Sequence, residues 1–137
     1  MILFNSLLQK SKRIALDKGT LNWYICGPTV YSNTHIGHAR TYVCFDIMKR
    51  LIQSNVPTIK INQLMGITDI DDKIIKACND NWSEYHRITE HFTEQFIRDI
   101  FRLNCLLPQA FARVSDHVPQ IISFITKLIK DDFAYVT

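Results

Sequence analysis

The segment from Leu21 to Met65 constrains the fold more than any other part of the chain. It opens with the apolar, β-prone run Leu21–Ile25, which predicts a buried strand stopped at Gly27-Pro28. From Ile36 to about Ser54 the apolar residues Tyr42, Phe45, Ile47, Met48, Leu51 and Ile52 recur at helical spacing, and Asn55 and Pro57 end the run. The alternating "TIKINQL" within Thr58–Met65 predicts a second strand, followed by Gly66. Strand, loop, helix and strand in that order make a βαβ unit, expected to pair its strands in parallel through a right-handed crossover. The fold class is therefore α/β.

Downstream, Thr68 with Asp71 three residues on predicts a capped short helix from about Ile70 to Cys78. Trp82 to Leu103 reads as a long amphipathic helix, with Tyr85, Ile88, Phe92, Phe96, Ile100 and Leu103 at steps of three or four. Pro108 closes the connection that follows. Ser115 is placed to cap a last helix, with Pro119 early in it and "QIISFITKLIK" as its body. "FAYVT" then begins a strand. No internal repeat or low-complexity tract interrupts the 137 residues, a length that suits one domain and buries roughly two-thirds of the unfolded surface.

Composition narrows the partners. With 47% hydrophobic and 21% charged residues the chain reads as a globular protein, and no apolar run approaches the ~20 residues of a membrane span. A net charge of +3 fits a nucleic-acid partner, but no basic block demands one. Cys26, Cys44, Cys78 and Cys105 form neither a C-x-x-C pair nor a dense disulfide pattern, which favours a reducing compartment. Cys44, beside Phe45 and Met48, reads as core. The first sixteen residues carry Lys10, Lys12 and Arg13 and no acid, so two readings stay open: part of an organelle-targeting segment, or an edge strand with a basic turn.

The chemistry concentrates in the loop between the first strand of the βαβ unit and its helix. Residues 27–34 deliver the chain to a helix mouth at the carboxyl end of a parallel sheet, where free backbone N–H groups favour an anion. Gly37 lets a ligand approach the backbone closely, and His35 and His38 can donate hydrogen bonds to phosphate oxygens as charge develops there. Neither a P-loop nor a dinucleotide-binding fingerprint is present. A histidine pair at this spacing also suits metal ligation, or merely a polar helix start. His86 and His91, five apart on a helix, point away from each other and read as solvated, as does His117.

"CGPTVYSNTHIGHAR", followed at a distance by "GITDIDDKIIK", closely resembles cysteinyl-tRNA synthetase, a class I aminoacyl-tRNA synthetase. The first string holds that class's HIGH signature as His35, Ile36, Gly37 and His38. The resemblance continues into "RVSDHVPQIISFITKLI" and "AYV", and so covers nearly the whole chain. It implies the N-terminal half of a Rossmann-like nucleotide-binding catalytic domain over residues 1–81, with a helical continuation of the same domain over 82–137. It implies ATP-dependent activation of cysteine to cysteinyl-adenylate and transfer to tRNA(Cys). His35, Gly37 and His38 would then hold ATP, with the two histidines stabilising the reacting phosphate and Mg2+ accompanying the nucleotide. Cys26 matches the first ligand of an active-site Zn2+. A soft thiolate from the substrate takes zinc's open position where a serine hydroxyl binds poorly. Gly27, Thr29 and Thr68 match positions that line the substrate cysteine. Arg40 is a candidate contact for the tRNA end or a phosphate. Asp69, Asp71 and Asp72 invite a metal-site reading, but three acids in four positions read mainly as solvated residues favoured at a helix start.

The form "MGITDIDDK", with Gly66, is similar to the animal mitochondrial branch, which implies the mitochondrial matrix, with the cytoplasm as the alternative. The family's other zinc ligands, its KMSKS loop and its tRNA-reading helical domains match nothing in these residues. The chain is therefore expected to be an incomplete fragment, inactive alone and poorly soluble because half a parallel sheet leaves an open edge. Three rivals share parts of the pattern. They are the cysteine ligase of mycothiol synthesis, a small nucleotidyltransferase with an H-x-G-H turn, and a non-catalytic interaction module derived from a synthetase.

Overall fold

The computed structural model describes residues 2–14, 19–78 and 81–137. It begins with an antiparallel hairpin, β1 (Ile2–Asn5) against β2 (Lys10–Arg13), in which Ile2 pairs with Arg13 and Asn5 with Lys10. The Asn5 side chain closes the turn by accepting from the Leu8 amide at 2.9 Å. Of the first sixteen residues, whose role the sequence leaves open, residues 2–13 form a separate two-stranded hairpin with basic residues on its second strand.

The βαβ unit forms as the periodicity requires. β3 (Thr20–Thr29) runs parallel to β4 (Lys60–Thr68), and α1 (Ile36–Asn55) connects them. β3 does not stop at Gly27-Pro28. It continues to Thr29 through an irregularity: Cys26 faces Gly66 and Thr29 faces Thr68, so three steps on β3 match two on β4. Pro28 is tolerated because β3 is an edge strand and the bulge takes it out of the ladder. Gly27 is required there. A Cβ on it would run into the Gly66 carbonyl oxygen and lie 3.1 Å from the Met65 side chain. β4 begins two residues later than the alternation implied and extends past Gly66 to Thr68.

A third strand joins this sheet without announcing itself in the sequence. β5 (Ala110–Arg113) pairs parallel to β4, giving the order β3-β4-β5. The segment read as a helical continuation therefore carries a strand of the same sheet. Gln109 leads β5 in. Its amide donates to the Gln63 carbonyl, its side-chain oxygen accepts from the Gln63 amide at 2.6 Å, and its side-chain nitrogen donates to the Ile61 carbonyl.

The helices α2 (Asp72–Ala77) and α3 (Trp82–Arg102) follow β4. Asp71, not Thr68, caps α2, accepting from the Lys73 amide at 2.8 Å. Thr68 is still in β4, and a cap must sit immediately before the first helical residue. Asn81 caps α3 in the same way. α3 turns Tyr85, Thr89, Thr93, Phe96 and Ile100 into the core, whereas Leu103, expected on that face, is exposed. After β5, a 3-10 turn (Ser115–His117) runs into α4 (Val118–Lys130), with Pro119 in its first turn. Ser115 caps no helix; its hydroxyl goes elsewhere. Residues 133–137 are not in a strand.

The core lies on one face of the sheet. Ile25, Tyr42, Met65, Ile67, Ile74, Phe96 and Ile100 pack together, with a smaller cluster of Leu21, Ile52 and Ile61 towards the strand starts. Lys49 of α1 is buried among them. It donates to Gln63 Oε1 at 2.9 Å and the Leu107 carbonyl at 3.1 Å, and burial pulls its pKa down despite the nearby Asp46. Cys44 is exposed, a correction to its reading as core: α1 is apolar on more than one side, and Tyr42, Phe45 and Lys49 take the inward positions. All four cysteines are free. Among the described residues no helix is long and apolar enough to cross a membrane.

Candidate functional site

The carboxyl ends of β3 and β4 bring together residues far apart in the chain. Cys26 lies opposite Gly66, Thr29 opposite Thr68, and the Val30 amide donates to the Thr68 carbonyl at 3.2 Å. Gly27, Thr29 and Thr68, expected to line one substrate, thus share this end of the sheet. Parallel strands with a crossover helix place their ligands here.

From Val30 the chain runs to the mouth of α1. His35 is the N-cap, with extended backbone, and its Nδ1 accepts from the Gly37 amide at 3.1 Å. His38 returns the bond: its Nδ1 accepts from the His35 amide at 3.3 Å. The two imidazoles stack, with ring centroids 3.9 Å apart and planes 17° from parallel. Gly37 makes room for this. A Cβ on it would come within 2.9 Å of His35 Cε1 and 3.0 Å of Nδ1, so its bareness serves the histidine ring as much as any ligand. Burial, and then the neighbouring His35, hold the His38 pKa below its ordinary 6.5.

Tyr42 ties the helix mouth to the strand end. It lies one turn beyond His38, and its hydroxyl donates to the Cys26 carbonyl at 3.2 Å. Burial, followed by the nearby Cys26, pushes this phenol up to about 12. Reading by periodicity marks Tyr42 only as core; nothing local signals a bond to a strand sixteen residues back. Asp69 is the second residue whose role the sequence hides. It is 2% exposed, against the expectation of a solvated acid at a helix start. Oδ1 accepts from the Ser115 amide at 3.0 Å and Oδ2 from the Ser115 hydroxyl at 2.5 Å. The Asp69 carbonyl accepts from the Tyr85 hydroxyl at 2.7 Å. Asp69 therefore bolts the end of β4 to the turn after β5, immediately beside Thr68.

The other candidates lie apart or do other work. Asp71 caps α2, and Asp72 sits in its first turn. Arg40 is exposed on α1. His86, His91 and His117 are all exposed, as expected, and His117 Nδ1 also lies 2.8 Å from the Arg113 carbonyl at the end of β5. Clefts of substantial volume lie away from the site. One of about 470 Å³ is lined by Arg13, Ile14, Leu51, Ile52, Asn55, Val56 and Ile59, at the opposite end of the sheet.

A zinc ion needs three or four protein donors. Cys26 offers an exposed, free thiol, but among the described residues no three His, Cys, Asp or Glu side chains gather around any point. These residues do not build a zinc centre on their own.

A parallel sheet whose crossover helix opens on His-Ile-Gly-His is the arrangement that the resemblance to class I tRNA synthetases implies. Residues 12–137 match the family model described as the class I (C) tRNA synthetase catalytic domain, and the chain belongs to that family. Its curated relatives include a cysteine–tRNA ligase of Methanococcus maripaludis, 41% identical over 98% of this chain. A cytoplasmic cysteine–tRNA ligase of Dictyostelium discoideum is 45% identical over 85% of the chain, and a cysteine–tRNA ligase of Thermococcus kodakarensis 40% identical over 97%. The chain spans 28%, 17% and 28% of the length of these three proteins.

Proposed function

We propose that this chain is part of a cysteine–tRNA ligase, which joins cysteine to ATP as cysteinyl-adenylate and passes the cysteinyl group to tRNA(Cys). The observation that carries the proposal is the pairing of the stacked His35–His38 mouth with the Cys26 and Thr68 strand ends, in a chain about 40% identical to cysteine–tRNA ligases over nearly its full length. In the first step a carboxylate oxygen of cysteine attacks the α-phosphorus of ATP, and the bond to the β-phosphate breaks. Pyrophosphate leaves with the electron pair. In the second step a ribose hydroxyl of the terminal adenosine attacks the activated carbonyl, and AMP leaves. Neither step needs a protein nucleophile. The protein's part is positioning and charge stabilisation.

In this reading His35 and His38 donate to phosphate oxygens, and the amides at the mouth of α1 add their partial positive charge. Gly27, Thr29 and Thr68 border the amino acid. Mg2+ would accompany the nucleotide, and Cys26 would supply one of the three or four donors that a Zn2+ needs, an ion that prefers thiolate to hydroxyl ligands. The compartment is proposed from the sequence alone: the mitochondrial matrix, with the cytoplasm as the alternative. Fractionation of cells expressing the intact protein decides between them.

Cysteine-dependent exchange of pyrophosphate into ATP tests the function. The intact protein should catalyse it, and His38→Ala should slow it by at least ~10²-fold, as expected when a transition-state donor is lost. Equal exchange rates in wild type and variant overturn the assignment of His38. Absence of exchange with cysteine, in an intact protein that binds ATP, overturns the ligase. The 137-residue chain alone, holding one zinc donor, should show no exchange.

A further inference from the structure

The histidine pair at the mouth of α1 does more than face a ligand: each ring accepts a hydrogen bond from the backbone of the turn that carries the other. A neutral imidazole has one N–H and one acceptor nitrogen, and an acceptor at Nδ1 fixes the proton on Nε2. Both Nδ1 atoms are acceptors here, from the Gly37 amide and the His35 amide. From this reciprocal cap we infer that His35 and His38 are locked as neutral Nε2–H tautomers, making the pair a preset double hydrogen-bond donor and not an imidazolium clamp.

Three features on the same turn favour that state. An added proton on either Nδ1 would put an N–H against a backbone N–H. The rings lie face to face at 3.9 Å, so two cations there would repel. The α1 mouth is the positive end of the helix dipole, which disfavours cations. Gly37 is part of the same device, since a side chain on it would press on His35 at the capping nitrogen. The inference deepens the proposed function by naming the protonation state in which the pair meets a phosphate. Its consequence rests on that reading; its test does not.

The tautomers are read directly in the intact protein, labelled with 15N-histidine, by long-range 1H–15N correlation at neutral pH. His35→Asn and His38→Asn identify the two signals. Both rings should show a protonated Nε2 and an unprotonated Nδ1. A protonated Nδ1 on either ring, or the averaged signature of freely exchanging imidazole, overturns the inference. Hydrogen exchange at the Gly37 amide gives an independent reading. Asparagine places a carbonyl oxygen where Nδ1 sits and is among the best N-caps, whereas glutamine carries its amide one carbon further. His35→Asn should keep Gly37 protected, and His35→Gln should speed its exchange by about 5- to 30-fold. Equal rates in wild type, His35→Asn and His35→Gln overturn the cap. Failure of the ligase reading appears as absent pyrophosphate exchange, and failure of this inference as the wrong tautomer, so the two are distinguishable.

Discussion

His38 links fold stability to pH through a single ring. Its folded pKa is lowered from 6.5 by burial and by His35, so in the window below 6.5 the unfolded chain binds the proton more readily than the folded one. The stability that the neutral ring supplies is therefore fully present above 6.5 and is lost as pH falls through the folded pKa. Urea denaturation of wild type and His38→Asn across about pH 5 to 7.5 should show the wild type losing more stability towards acid. Parallel curves would mean that His38 titrates as if unfolded. Tyr42 offers a second measurement at this scale. Tyr42→Phe removes the donor to the Cys26 carbonyl and should cost about 1 kcal/mol in the urea midpoint, the usual net worth of such a bond. It should also quicken alkylation of the Cys26 thiol as the strand end loosens. A variant as stable as wild type, with unchanged Cys26 reactivity, would reduce Tyr42 to a packing residue.

Among the elements, legibility followed the reach of each signal. β3, α1, β4 and α3 carry their periodicity in their own residues and were legible to within about three residues at most ends. β5 was not, because four residues make no period and its entry bonds come from the Gln109 side chain on β4 backbone more than forty residues away. Gly27-Pro28 looked like a stop because a bulge beside an edge strand leaves no trace in composition. The histidine turn was visible as residue types and spacing, while its reciprocal capping depends on ring geometry. Asp69 was misread for the same reason as β5: its partners Ser115 and Tyr85 are distant in sequence. That clamp makes an element-level prediction. Asp69→Ala leaves the Ser115 amide without its acceptor and should cost about 2 to 4 kcal/mol, given two bonds to a charged group. The loss should be local first. The Val114 amide, which donates to the Ile67 carbonyl at the end of the β4–β5 ladder, should exchange faster, while the Ile25 and Met65 amides hold. Uniform loss of protection across the sheet would show that Asp69 supports the whole fold and not β5 alone.

At the scale of the molecule the sheet is only half covered. Parallel sheets ordinarily bury both faces, yet Asn22, Tyr24 and Cys26 on β3 and Asn62 and Leu64 on β4 are exposed on the face away from α1 and α3. Among the described residues β3 and β5 are both open edges. α4 adds Ile121, Ile122, Phe124, Ile125 and Ile129, none of them buried, and the hairpin adds Ile2 and Phe4. The total surface measures the consequence. It is 10107 Å², whereas a compact monomer of 16.0 kDa exposes about 7,400 Å². The difference is on the scale of a permanent interface. Isolated in water, the 137-residue chain should bury that surface in the one way left to it, by self-association. Sedimentation at micromolar concentration should show oligomers, and a dye that fluoresces on apolar surfaces should bind. Ile122→Glu with Phe124→Glu should reduce both without changing the helix content, because neither side chain is buried in the fold. A dye-free monomer of the wild-type chain would show that the excess surface is tolerated by the isolated fold and that the open face and edges are blunted by their own polar residues.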